Sequence, residues 1–186
     1  MFTIGDLKFD IQAAVLDAFI DEDDYSVNWG LEITGRKREL FGGYWQPSAY
    51  SEVLFKTAPY EVQSWKEIAG RVISWDECYD EEQEGYHAAL YTFEHEGIYD
   101  SRLEIIALLD GSLGVKWRAK CDVFWNEQYS GDLDLVIETP ICFKGVLLGN
   151  RSQEEAHAMF AKAFDPRGFS FTTTDSGVSL FVPVQK

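Results

Sequence analysis

Residues 101–125 read "SRLEIIALLDGSLGVKWRAKCDVFW", and the class of the fold turns on how this run pairs with itself. Apolar and polar residues alternate on both sides of Asp110-Gly111-Ser112, with Leu103 and Ile105 before the break and Trp117, Ala119 and Cys121 after it. Alternation of period two marks a strand with one buried face, and a glycine-bearing break between two such runs reads as a hairpin. A three-residue loop centred on Gly111 sets Ile105 opposite Trp117, Leu103 opposite Ala119 and Glu104 opposite Arg118, so both faces agree. A two-residue loop pairs Glu104 with Trp117 and mixes them. The three-residue loop is the expectation.

Outward from this hairpin the chain keeps the same character. "HAALYTFEHEGI" (87–98) alternates, with Ala89, Tyr91 and Phe93 on one face and Thr92, Glu94 and Glu96 on the other. "GDLDLVIETPICFKGVLLG" (131–149) supplies one or two strands, broken near Pro140. "NRSQEEAHAMFAKAFDPRG" (150–168) is the helix, at about 153–164: Ser152 and Glu155 form a capping box. Ala156, Met159, Phe160, Ala163 and Phe164 make its apolar stripe, and Pro166 and Gly168 end it. "FSFTTTDSGVSLFVPV" (169–184) reads as a final hairpin. In the first half, "DLKFDIQAAVLDAFI", "SVNWGLEITGRKREL", "SEVLFKTA" and "RVISW" read as strands, and "YEVQSWKEIAG" as one helical turn. The expected fold is a single α+β domain over 1–186: a largely antiparallel sheet with a C-terminal amphipathic helix packed on it.

At 186 residues with 46% hydrophobic and 15% aromatic content, the chain can bury a real core. The cysteines, Cys78, Cys121 and Cys142, are odd in number and have no metal spacing, which points to a reducing compartment. "MFTIGDLKFD" carries no leader pattern, and no apolar run approaches the roughly 20 residues of a membrane span. A cytoplasmic protein is expected. Net charge is −16, with 21 acids against 7 bases in residues 1–100 and 11 against 9 thereafter. Such a field repels phosphates and anionic membranes, which argues against direct nucleic-acid or membrane binding, and draws in cationic partners.

Motifs for chemistry are missing. "DEDDYSVNWGLE" (21–32) imitates a calcium loop, but Tyr25 and Ser26 stand where an oxygen ligand and the turn glycine belong. His87, His95 and His157 are scattered, and His95 shares the face of Tyr91 and Phe93. No GxSxG or phosphate loop is present; Cys121 and Cys142 read as core, and the acids around Cys78 disfavour its thiolate. No catalytic residue, metal or cofactor is expected.

The remaining signal is acidic. "DECYDEEQEGYH" gathers Asp76, Glu77, Asp80, Glu81, Glu82 and Glu84 beside Tyr79 and Tyr86, and a second run holds Asp21, Glu22, Asp23, Asp24 and Tyr25. The plain reading is a pair of solvated loops. The functional one is a docking surface for a basic protein partner, in which aromatics anchor and carboxylates steer. In size, acidity and lack of catalytic motifs the chain resembles the immunity proteins of bacterial toxin–antitoxin and contact-dependent toxin systems. It also looks like phage inhibitors that mimic nucleic acid. Either resemblance implies a binding protein; the first implies one that neutralises a basic toxin, a nuclease among the candidates, and the second an inhibitor that stands in for nucleic acid. A different class remains open: a small-molecule binder or enzyme whose pocket draws on Trp29, Trp45, Trp65 and Trp125.

Overall fold

A computed structural model of the chain describes residues 1–40, 42–81, 84–92, 94–123 and 131–184. Phe93, Glu82 and Trp125, named above, lie outside the described residues. The class differs from the expectation: the protein is mostly β, and seven strands close into a barrel instead of forming an open sheet covered by a helix.

The barrel ring runs β12 (His95–Ala107), β11 (Ala89–Tyr91), β7 (Ser48–Thr57), β4 (Val27–Gly35), β3 (Ile11–Ile20), β14 (Leu133–Leu147) and β13 (Leu113–Cys121), which pairs back with β12. Every contact in the ring is antiparallel except β14 with β3. Closure depends on the length of β14. Its first half, Leu133–Ile141, pairs with β13, and its second half, Cys142–Leu147, runs parallel to β3. Pro140 does not break it; Pro140 stands opposite Gly114 within the ladder. Short strands β1 (Phe2–Ile4), β2 (Leu7–Phe9), β8 (Val72–Trp75), β15 (Phe169–Thr173) and β16 (Ser179–Pro183) extend the wall, and β5 (Arg38–Leu40) pairs with β6 (Gly43–Trp45) in a separate ribbon.

Two local readings are corrected. Across the β12–β13 hairpin, Leu103 faces Trp117, Ile105 faces Val115 and Glu104 faces Lys116. The register is therefore two residues from the expected one, and the loop spans 108–112, with the Leu108 N–H donating to the Ser112 carbonyl. A shift of two preserves which face is buried, so alternation alone did not separate the two registers. Residues 87–98 are a hairpin, not one strand: Tyr91 pairs with His95 across a turn in which the Thr92 N–H donates to the Glu94 carbonyl.

Inside the barrel, Leu16, Trp29, Ile33, Leu103, Val115, Trp117, Leu135 and Ile137 are fully buried. The buried indoles are satisfied: Trp29 Nε1 donates to Thr57 Oγ1 at 3.1 Å and Trp117 Nε1 to Ser101 Oγ at 2.9 Å. The one α-helix among the described residues, α1 (Gln153–Ala163), is capped by Ser152 and Glu155 acting reciprocally. Its Phe160 stacks on Phe181 at 4.0 Å between centroids, and Phe164 meets the edge of Trp29. No helix among the described residues is long and apolar enough to cross a membrane.

Candidate acidic interface

The first acidic run is a small hairpin laid on the barrel wall. β9 (Tyr79–Asp80) pairs with β10 (Gly85–Tyr86), so Tyr79 and Tyr86 stand directly opposite one another, their rings edge to face at 6.1 Å. Both rings remain about half exposed. The hairpin is anchored at its base, where the His87 N–H donates to the Cys78 carbonyl and the Asp100 N–H to the Asp76 carbonyl. Gly97 makes the close approach possible, because a Cβ there would stand 2.6 Å from Cys78 Cβ. Asp76, Glu77, Glu81 and Glu84 are exposed, whereas Asp80 turns inward and sits 3.5 Å from His87 Nδ1.

The second run behaves differently. It is the turn between β3 and β4, closed by the Asp21 N–H donating to the Ser26 carbonyl and by Tyr25 in the left-handed region. Its carboxylates have local work: Asp21 accepts from the Asp23 N–H, and Asp24 from the Ser26 N–H. Hydrogen bonds from Ser26 hold Asp24 below the usual carboxylate range. Glu22 pairs with Arg151, and the Lys162 ammonium lies over the Tyr25 ring. Asp23 is left exposed. This turn faces the bases of α1 and its flank, so part of its charge is answered within the molecule.

Between the runs the structure builds a feature no linear reading found. On the barrel's outer face, Asp17 of β3 pairs with Gly30 of β4, and Glu32 of β4 pairs with Tyr50 of β7. The bulge after Ser51 turns Glu52 to the same side. The result is a groove of about 480 Å3 lined by Asp17, Glu32 and Glu52 with Phe19, Tyr50 and Leu147. Gly30 is its floor: a Cβ there would lie 2.6 Å from Asp17 Oδ1 and 3.0 Å from the Glu52 carbonyl oxygen. A smaller cavity of about 250 Å3 shares Tyr50, Ser51 and Glu52 and continues to Gly85 and Tyr86. Groove and first hairpin are one surface; the second run lies past Phe19, at the end of β3.

Electrostatics in the groove favour a cation. Burial raises the Asp17 pKa above the ordinary carboxylate value, Lys144 opposes the shift, and Glu32 adds to it. Burial, then Glu52 and Glu32, raise Tyr50 as well, whose hydroxyl lies 2.7 Å from His95 Nδ1. A carboxylate raised in the folded state binds more protons there than in the unfolded chain, so stability falls as pH rises through the window from the ordinary value to the raised one. Asp17→Asn is therefore expected to raise the melting temperature at pH 7, with the gain shrinking as pH falls toward about 4 and absent below it. Thermal melts at both pH values decide it; an equal or lower melting temperature at pH 7 contradicts the burial of this charge.

Other expected placements resolve as follows. Trp29 and Trp45 are buried in the core, while Trp65 borders a separate cavity. His95 is exposed at the turn end of β12, opposite Tyr91, and Cys142 is exposed where an interior position was expected. Cys121 is buried, and burial, with Asp122 next, pushes its thiol up to about 12. Among the described residues no group of three or more His, Cys, Asp or Glu is placed to hold a metal ion. Comparisons with protein-family models, with curated proteins and with solved structures find no match.

Proposed function

We propose that this protein binds and neutralises a basic protein partner in the cytoplasm, in the manner of an immunity protein against a toxin domain. The observation that carries the reading is the convergence of Asp17, Glu32 and Glu52, from three strands, in one groove continuous with the acidic hairpin. Carboxylates held this close repel one another, and Asp17 is partly desolvated besides. An arriving lysine or arginine relieves both penalties at once. Phe19, Tyr50 and Tyr86 supply ring faces beside the charges, the pairing that basic side chains prefer at interfaces. The net charge of −16 supplies long-range attraction.

The test is affinity capture from the source cells at low salt, followed by purification of the captured protein and assay of its activity. The expected partner is basic, is released by salt, and loses its activity when this protein is added. The triple variant Asp17→Asn, Glu32→Gln, Glu52→Gln should retain less than about a tenth of the captured partner. A partner that binds the triple variant as well as the wild type overturns the reading.

A further inference from the structure

A second site lies away from the groove. The turn at Trp65–Ile68, the loop between β12 and β13, the middle of β14 and the ends of the β15–β16 hairpin enclose a cavity of about 700 Å3. That volume lies within the range that accommodates a small ligand. Its walls are part polar, with Gln63, Ser64 and Ser112, and part apolar. Trp65 stacks on Phe143 at 5.5 Å and 21°, and Ile141, Phe169 and Pro183 complete the apolar part.

Two opposite charges sit at the exposed edge of this cavity. The Lys66 ammonium lies over the Trp65 ring, 5.5 Å from its centroid, and 3.9 Å from where a Cβ on Gly111 would stand. Asp110, in the same loop as Gly111, takes both hydrogen bonds from Ser112 on one oxygen, Oδ1. Asp110 and Lys66 act on each other electrostatically without forming a contact ion pair. The protein's own ammonium thus occupies an aromatic face beside a carboxylate, at the mouth of a cavity with aromatic residues in its walls. Lys66 is exposed and its stem is flexible, so it can be displaced.

We infer that this cavity binds a small aromatic amine: its ring lies among Trp65, Phe143 and Phe169, and its ammonium replaces that of Lys66 between the Trp65 face and Asp110. The groove plays no part in this site, and the inference does not rest on the partner reading.

The probe is tryptamine, titrated by calorimetry at physiological salt, with 3-indolepropionate as the counterpart of like shape and opposite charge. Tryptamine should bind saturably with a one-to-one stoichiometry and shift the Trp65 indole signal; the carboxylate should not bind. Asp110→Asn, which keeps the loop's acceptor, should weaken tryptamine about ten-fold. Lys66→Gln should strengthen it several-fold, because the competing cation is gone. That gain separates the site from general attraction to an acidic protein, which both variants would alter only slightly. The inference is overturned if tryptamine does not saturate, if the carboxylate binds equally well, or if Lys66→Gln weakens binding. Triple neutralisation of the groove at Asp17, Glu32 and Glu52 should leave tryptamine affinity within about two-fold, since those charges lie outside the cavity.

Discussion

Gly145→Val is expected to destabilise the protein by about 3 kcal/mol or more and to lower its melting temperature by roughly 6–12 °C. Gly145 has φ of +132°, a region essentially closed to residues with a Cβ. A Cβ at this position would overlap the Phe181 carbonyl oxygen and meet Leu180 Cδ1 at 3.0 Å. The backbone atom cannot move aside without breaking the pairing of Val146 with Phe181. On the other side, the parallel ladder between β14 and β3 shifts register between Phe143 and Gly145. One residue thus adjusts both neighbours of the long strand that closes the barrel. Gly149→Ala is the control. It has φ of +67° but open space around it, so only the backbone cost of about 1 kcal/mol applies. Equal melting temperatures for the two variants would show that the seam is not built as described.

Alternation reports that a strand has one buried face, and it does so equally for an open sheet and for a barrel. What distinguishes them here is β14 pairing with β13 along one half and with β3 along the other, a contact between residues far apart in sequence. Pro140 looked like a break because it lacks an N–H, yet the strand carries it opposite Gly114. The helix was legible because its signals are local: Ser152 and Glu155 lie three positions apart and act on each other. The β12–β13 register was legible to parity and no further.

The same distinction governs the site. The first acidic run was visible because its charges are consecutive, and the structure keeps Asp76, Glu77, Glu81 and Glu84 exposed on one hairpin. Asp17, Glu32 and Glu52 each look like an ordinary polar-face residue of a strand. Only pairing of β3 with β4 and β4 with β7 makes them neighbours. A signal was present in Gly30, a glycine in the interior of a strand run, which often marks a close approach.

The two kinds of acid should separate in binding kinetics. Replacing Asp76, Glu77, Glu81 and Glu84 with serine removes exposed charge and should slow association with the basic partner about ten-fold at low salt. The dissociation rate should stay nearly unchanged, and the difference should vanish as salt rises past the screening range. Asp80 is kept, since its carboxylate lies against His87 and its loss would loosen the hairpin instead of discharging it. The groove variants should do the opposite. Asp17→Asn with Glu52→Gln leaves a partner's cation desolvated without its carboxylates, which should raise the dissociation rate about 100-fold with a modest change in association. Tyr86→Ala belongs with the groove set, because its ring borders the cavity that joins hairpin to groove. Stopped-flow association and surface-based dissociation, each across salt, measure the two effects separately. If the serine set accelerates dissociation while the groove set only slows association, the hairpin is the anchor and the groove merely adds to the field, and the assignment of roles is reversed.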